Sequence, residues 1–333
     1  MKVLVTGGGG FLGGAIIRAL LERGEAVRSI QRGHYPELIE LGVESIQGDL
    51  CKTDDIDAAA MGCGIVYHIA ALAGVWGDYD KYYQANVVAT KNVINACKKH
   101  NINYLVYTST PSVVFDGSSE EGIDESAPYS EVFFNAYQET KAGAEQLILA
   151  SNNGKLKTVA LRPHLIWGPG DRHLAPRVIR NAKAGRLRLV DNKNNKVDSC
   201  YIDNAVDAHL LAGDDLQKDE KCAGKAYFIS NDEPIPMSDM INKILATASL
   251  PPITKSINKH VAYCMGNIFE CVYSIFKIKR EPLMTRFIAM QLSTSHWFDL
   301  TAAKRDLLYT PKISIDEGMK RLKASFDIEN SDE

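Results

Sequence analysis

The chain has 333 residues, 45% hydrophobic and 24% charged, enough to bury a large core in about two domains. A net charge of −3 gives no electrostatic footing for nucleic acid as a general partner. Seven cysteines with no C-x-x-C pair read as reduced thiols of a cytoplasmic protein and offer no zinc spacing, so no metal is expected.

The N-terminus, MKVLVTGGGG, lacks the basic start and apolar run of a signal peptide and reads as a first strand, Lys2–Thr6, stopped by four glycines. Leu12, Ile16, Ile17, Leu20 and Leu21 then share one helical face, and Gly24 closes the helix. Strands are predicted at Ala26–Gln31, Val43–Gln47 and Gly64–Ile69, followed by a long helix over Tyr79–Lys99. A fifth strand at Asn103–Thr108, a helix at Ala136–Ser151 and a sixth strand at Thr158–Arg162 complete the alternation. Such alternation implies an α/β fold, a doubly wound parallel sheet whose ligands sit at the carboxyl ends of the strands. After Pro163 prolines punctuate mixed helices and short strands. A dinucleotide-type domain is therefore expected over 1–165 and a smaller substrate-side domain over 166–326, with a strand near 225–230 returning to the first. The acidic tail, 327–333, is expected to be disordered.

Gly7-x-x-Gly10-x-x-Gly13 lies directly between the first strand and its helix. Glycine tolerates the tight turn, and the missing Cβ lets a pyrophosphate approach the backbone; Phe11 and Leu12 then open a helix whose free N–H groups favour phosphate. NAD-binding units place an acid about 20 residues beyond such a loop. Here the second strand ends in Gln31-Arg32, so Arg32 is the candidate partner for the 2′-phosphate of NADP(H). Asp49 and Leu50 are placed to contact the adenine, and Ala70 and Ala71 leave room for a ribose.

Carbonyl reduction needs a proton donor beside the nicotinamide. A tyrosine with a lysine four residues on provides one, since positions i and i+4 share a helix face and the ammonium would lower the phenol's pKa. Of fourteen tyrosines, Tyr137 and Tyr273 have that lysine, and Tyr137 follows the fifth strand at the cofactor's edge. Tyr137 and Lys141 are therefore the expected catalytic pair. Thr110 is the expected polarising hydroxyl, with Ser109 the alternative. Asn86 is a candidate to bond a carbonyl in a relay toward Lys141, or else a solvent-facing polar residue.

The mostly apolar stretch Val261–Ile278 carries Asn267, Glu270 and Lys277, too polar for a spanning helix. It reads as a buried or pocket-lining helix that, with Leu283–Leu292, would line a channel for alkyl chains. The alternative is an interfacial helix on a membrane surface, helped by the basic Lys277-Ile278-Lys279-Arg280.

Together TGGGGFLGG, GDL, HIAALAG, YQANVVATKNV, YTSTPSV, YQETK and ALRPHLIWGPGD resemble the extended short-chain dehydrogenases/reductases, and within them the 3β-hydroxysteroid dehydrogenase/isomerase branch. The resemblance runs nearly end to end, through GHYPEL, NKVD-x-x-YIDNA and AYFISNDEP-x-PM. It implies a Rossmann domain with Tyr137 as acid, Lys141 as its helper, Thr110 where many relatives have serine, and Pro163, His164 and Leu165 beside the nicotinamide. Inside the branch the chain is similar to bacterial reductases of long-chain olefin biosynthesis. That similarity implies an NADPH-dependent reduction of the 3-keto group of a long-chain 2-alkyl-3-oxoalkanoate. It also implies a homodimer and, as partners, a thiolase-like condensing enzyme, a β-lactone synthetase and a β-lactone decarboxylase. A hydroxysteroid or sterol dehydrogenase is the rival enzyme. A nucleotide-sugar epimerase or dehydratase fits less well, since the later half does not resemble those enzymes. A cofactor-sensing regulator or scaffold subunit is the non-enzyme rival, against which the intact Tyr/Lys pair argues.

Overall fold

The computed structural model describes residues 1–191 and 194–331. Seven strands form one parallel sheet: β1 (Lys2–Thr6), β2 (Ala26–Gln31), β3 (Glu44–Gln47), β4 (Cys63–His68), β5 (Tyr104–Thr108), β6 (Lys157–Pro163) and β7 (Lys225–Ile229). Their order is β3-β2-β1-β4-β5-β6-β7, so the winding reverses between β1 and β4. The central strands β1, β4 and β5 are mostly apolar because both faces are covered, while the edge strand β3 is not. Val3 and Val5 enter one core layer while Leu4 enters the other, and Ile65/Val66 and Val106/Leu105 split in the same way. Helices Phe11–Glu22 and Ile202–Lys218 pack on the first face, and Ala89–Lys99 packs on the second.

A second, four-stranded sheet joins Ile235–Pro236, Lys196–Val197, His296–Phe298 and Glu120–Ile123 in that order. The chain therefore crosses between its two halves in both directions, β7 going back to the first sheet and Glu120–Ile123 leaving for the second.

Three expectations need correction. The long helix over Tyr79–Lys99 is two α-helices, Tyr79–Tyr82 and Ala89–Lys99, joined by a π-helical turn, Tyr83–Val88. The acidic tail, expected to be disordered from 327, is helical through Ser331 as the end of helix Ile315–Ser331, while Asp332 and Glu333 lie outside the described residues.

Third, helix Lys259–Ile275 is not buried. Ala262 and Gly266 are its buried residues, and Ile268, Val272 and Ile275 point outward. The reason is a narrow seam of small residues: a Cβ on Gly266 would lie 2.5 Å from the Thr285 carbonyl carbon, so the helix rests on that backbone through Gly266. Glu270, one turn further along the seam, accepts from Arg286 N at 2.7 Å and Arg286 Nε at 2.6 Å.

Candidate active site

The sheet's reversal point brings the loops after β1 and β4 into contact. Gly7 adopts φ +75°, and a Cβ there would sit 3.0 Å from Ala70 Cα. Gly10 N donates to Gly7 O at 2.9 Å, folding the loop back on itself. A Cβ on Gly13 would fall 2.3 Å from the same carbonyl oxygen, so this position admits no side chain without moving the turn. Gly10 caps helix Phe11–Glu22 with extended backbone and no side-chain cap, which leaves its first-turn N–H groups to an anion. Phe11 is half-buried against the core and Leu12 is buried in it. The cradle fits a pyrophosphate.

Beyond it, the end of β2 presents no carboxylate. Gln31 is buried, accepting from Ser29 Oγ at 2.6 Å and donating to Ser45 Oγ at 2.8 Å. Arg32 is exposed, and its charge reaches the Cys51 thiol, which burial pushes up to about 11 against that attraction. Asp49, half-buried, accepts from Cys51 N at 2.9 Å, and the buried Leu50 offers its carbonyl to Asn92 Nδ2 at 2.9 Å. Ala70 N donates to Thr6 Oγ1 at 3.1 Å, and Ala71 is exposed. Tyr35 is an addition that the sequence reading missed. Its ring lies across the loop, 2.2 Å from a Cβ on Gly9 and 2.8 Å from one on Gly33, so a side chain at either position would have to displace it.

Helix Ala136–Ala150 starts at the carboxyl edge of the sheet, capped by Asn135, whose side chain accepts from Gln138 N at 2.9 Å. Tyr137 therefore projects from the helix's first turn, at the carboxyl edge of the sheet, where the Thr110 side chain favours its ionised form. Thr110 caps the turn after β5 and also donates to Ser112 Oγ at 3.2 Å. Ser109 is buried with its Oγ unpartnered, and of the two candidate hydroxyls Thr110 is the one that acts on the phenol's ionisation.

Lys141 is buried one turn further on, its Nζ donating to Thr108 O at 2.6 Å and lying 4.2 Å from the Tyr107 ring centroid. Burial pulls it down to about 7, opposed by Glu145. The expected lowering of the phenol by this ammonium is not seen. Burial raises Tyr137 to about 12, with Thr110 pulling the other way. Asn86 is buried and bonds a carbonyl, one of its expected roles, and does not face solvent. The π-turn aims its amide at the loop after β4, where it accepts from Leu72 N at 2.7 Å and donates to Leu72 O at 3.1 Å and to Thr140 Oγ1 at 3.0 Å. It ties that loop to the helix of Tyr137.

A second buried brace went unread in the sequence. Arg162 on β6 holds Glu145 through Nε and Nη2, the latter at 2.6 Å, and Tyr129 donates to the same carboxylate at 2.7 Å. Because Glu145 stands four residues after Lys141, the pair fixes the lysine's helix against the sheet. At the end of β6, Pro163 is buried, His164 N donates to Ile229 O at 3.1 Å, and Leu165 holds φ +44°. A cavity of about 570 Å³ opens at the opposite, amino-terminal edge of β5 and β6, lined by Asn101, Tyr104 and Lys157 among others, away from this chemistry.

Residues 4–253 match the model of the 3-beta hydroxysteroid dehydrogenase/isomerase family. The chain is 52% identical to the 2-alkyl-3-oxoalkanoate reductase of Shewanella oneidensis, covering 96% of this chain and 85% of that one. It is 51% identical to the protein of the same name from Stenotrophomonas maltophilia, over 98% of this chain and 99% of the other. Among solved structures, gox2253 superposes with a TM-score of 0.80 at 25% identity, over 98% of both chains. With its parallel sheet, its glycine turn and a match that takes in most of its length, this chain belongs to the 3-beta hydroxysteroid dehydrogenase/isomerase family.

Proposed function

We propose that this chain uses NADPH to reduce the 3-keto group of a long-chain 2-alkyl-3-oxoalkanoate to the 2-alkyl-3-hydroxyalkanoate. The chemistry rests on one observation, the placement of Tyr137 in the first turn of its helix at the carboxyl edge of the sheet, with Lys141 buried one turn on. The substrate is supported by the 52% and 51% identities to bacterial proteins bearing that name.

A reduced nicotinamide dinucleotide held along the glycine turn supplies the hydride. Gly7, Gly10 and Gly13 keep the backbone close, and the helix start at Phe11 and Leu12 lends N–H groups to the pyrophosphate. When it is bound, Asp49 and Leu50 would flank the adenine, Ala70 and Ala71 would leave room for a ribose, Arg32 would take the 2′-phosphate, and Pro163 and Leu165 would border the nicotinamide. Tyr137 gives its proton to the substrate's carbonyl oxygen, while Thr110 donates to the same oxygen as charge develops there. Burial keeps the phenol protonated at neutral pH, a donor in waiting. Lys141 changes charge near neutral pH and so can pass a proton back toward Tyr137. Asn86 and the Arg162–Glu145 pair position these groups.

This assignment fixes the sign of a pH effect. Lys141 is an ammonium below about 7 and neutral above, so kcat/KM for reduction is expected to fall as pH rises through and beyond that value. A profile that stays flat across the region would remove the proton-return role from Lys141.

On this reading the chain is a cytoplasmic homodimer. A condensing enzyme supplies its substrate, a β-lactone synthetase takes its product, and a decarboxylase consumes the lactone. The direct test is NADPH consumption with a long-chain 2-alkyl-3-oxo acid, run beside a 3-ketosteroid and a nucleotide sugar. Turnover is expected with the first. Turnover confined to the steroid would reassign the substrate, and none with any of the three would favour a sensing or scaffold role.

A further inference from the structure

We infer that the outward face of helix Lys259–Ile275, with the turn that follows it, seats this protein on an anionic phospholipid surface. Val261, Met265, Ile268, Val272 and Ile275 follow one another at spacings of four and three, and Phe276 extends the row. Ile268 is 59% exposed, Ile275 74% and Phe276 72%, although these are side chains that folding ordinarily hides. A continuous apolar helix face open to water marks an interaction site.

The charges around the stripe choose the partner. Glu270, the helix's one carboxylate, is turned inward onto Arg286 with a side chain 11% exposed, so the apolar face carries no negative charge. Exposed basic residues stand at both ends, Lys255 and Lys259 before the stripe and Lys277, Lys279 and Arg280 after it. Lys259 lies 3.8 Å from Asp191, and the nearby Glu281 is engaged by Arg177 at 2.8 Å. An apolar row flanked by cations suits acyl chains beneath phosphate headgroups. A second copy docked on the same face would bring like charges together. No described helix is long and apolar enough to cross a membrane, so this one lies along the surface.

The seat adjoins the catalytic cleft. Trp76 Nε1 donates to Ile278 O at 3.1 Å, and its ring meets the edge of Tyr273 at 6.1 Å. Tyr82 donates to Trp76 O at 3.3 Å, and its helix, Tyr79–Tyr82, packs against the helix that carries Tyr137. If the substrate is the two-chain acid proposed above, it resides in the bilayer, since each methylene favours that environment by about 0.8 kcal/mol. The face that docks would then be the face that collects it. The docking itself does not depend on that reading.

Co-sedimentation of the full chain with phosphatidylglycerol vesicles and with phosphatidylcholine vesicles, without substrate, tests the inference. Binding to the anionic vesicles is expected, weakened by salt and reduced by roughly tenfold or more in the triple variant Ile268→Ser/Ile275→Ser/Phe276→Ser. Replacing Lys277, Lys279 and Arg280 by Gln should reduce it as well. NADPH binding and circular dichroism of each variant report that the fold is intact. Failure of the wild type to bind anionic vesicles overturns the inference, as does equal binding by the triple variant. So does a dimer that the triple variant converts to monomer, which would assign the face to a second copy. Because no step reads turnover, these outcomes are separate from any failure of the proposed reaction.

Discussion

Tyr137→Phe is expected to lower kcat for carbonyl reduction by roughly a thousandfold, within the span that a positioned general acid contributes. The substitution removes one oxygen from a ring whose placement is set by the helix, its Asn135 cap and the loop of Thr110, all of which remain. NADPH affinity should therefore change by no more than about twofold. Burial holds the phenol's proton, with Thr110 pulling the other way. Phenylalanine leaves Thr110 able to polarise a carbonyl but with no proton to transfer. Single-turnover kinetics with fluorescence titration of NADPH separate the two quantities. Turnover near that of the wild type would place the acid elsewhere.

The second large effect concerns cofactor choice. Arg32→Glu is expected to weaken NADPH binding by roughly ten- to a hundredfold, the equivalent of losing a charge-assisted hydrogen bond of about 1.5–3 kcal/mol. NADH binding should hold or improve, since a carboxylate at the end of β2 can accept from a ribose 2′-hydroxyl. The neighbourhood supports this polarity. Gln31 is spent on Ser29 and Ser45, and no acid stands at the strand end to favour NADH in the wild type. Arg32 is exposed, so its replacement should leave the fold undisturbed. Equal weakening of both cofactors would mean that the guanidinium does not read the 2′-phosphate.

The central strands of the main sheet were legible because a strand buried on both faces is rich in apolar residues, as β1 and β5 are. The glycine turn was legible for a related reason, since Gly13 packs against the Gly7 carbonyl and tolerates nothing larger. The strand Glu120–Ile123 was not. It is four residues long and partners His296–Phe298 across more than half the chain, and local pattern carries no trace of such a pairing. Asn86 was recognised as a candidate, but its direction depends on a π-turn that a three-and-four spacing does not reveal.

Helix Lys259–Ile275 misled in a more instructive way. Apolar periodicity says that a helix has an apolar face and leaves open what covers it. Here the protein-facing seam is Ala262, Gly266 and Glu270, spaced by four, and the large apolar residues lie on the other side. Small residues that permit close backbone approach outweighed bulk in choosing the packed face. In the catalytic pair the i, i+4 spacing was right about proximity along the helix, yet Lys141 is directed to Thr108 O instead of the phenol. The Arg162–Glu145 pair that holds this helix in place comes from two distant elements, and sequence spacing does not connect them.

The most direct measurement follows an isotope. The chain is incubated with NADPH deuterated at C4 of the nicotinamide and a long-chain 2-alkyl-3-oxo acid, and the product is analysed by mass spectrometry. A 3-hydroxy acid bearing deuterium on C3 is the predicted result. A hydroxy acid without the label, or intact keto acid recovered beside a protein that binds NADPH tightly, would contradict it.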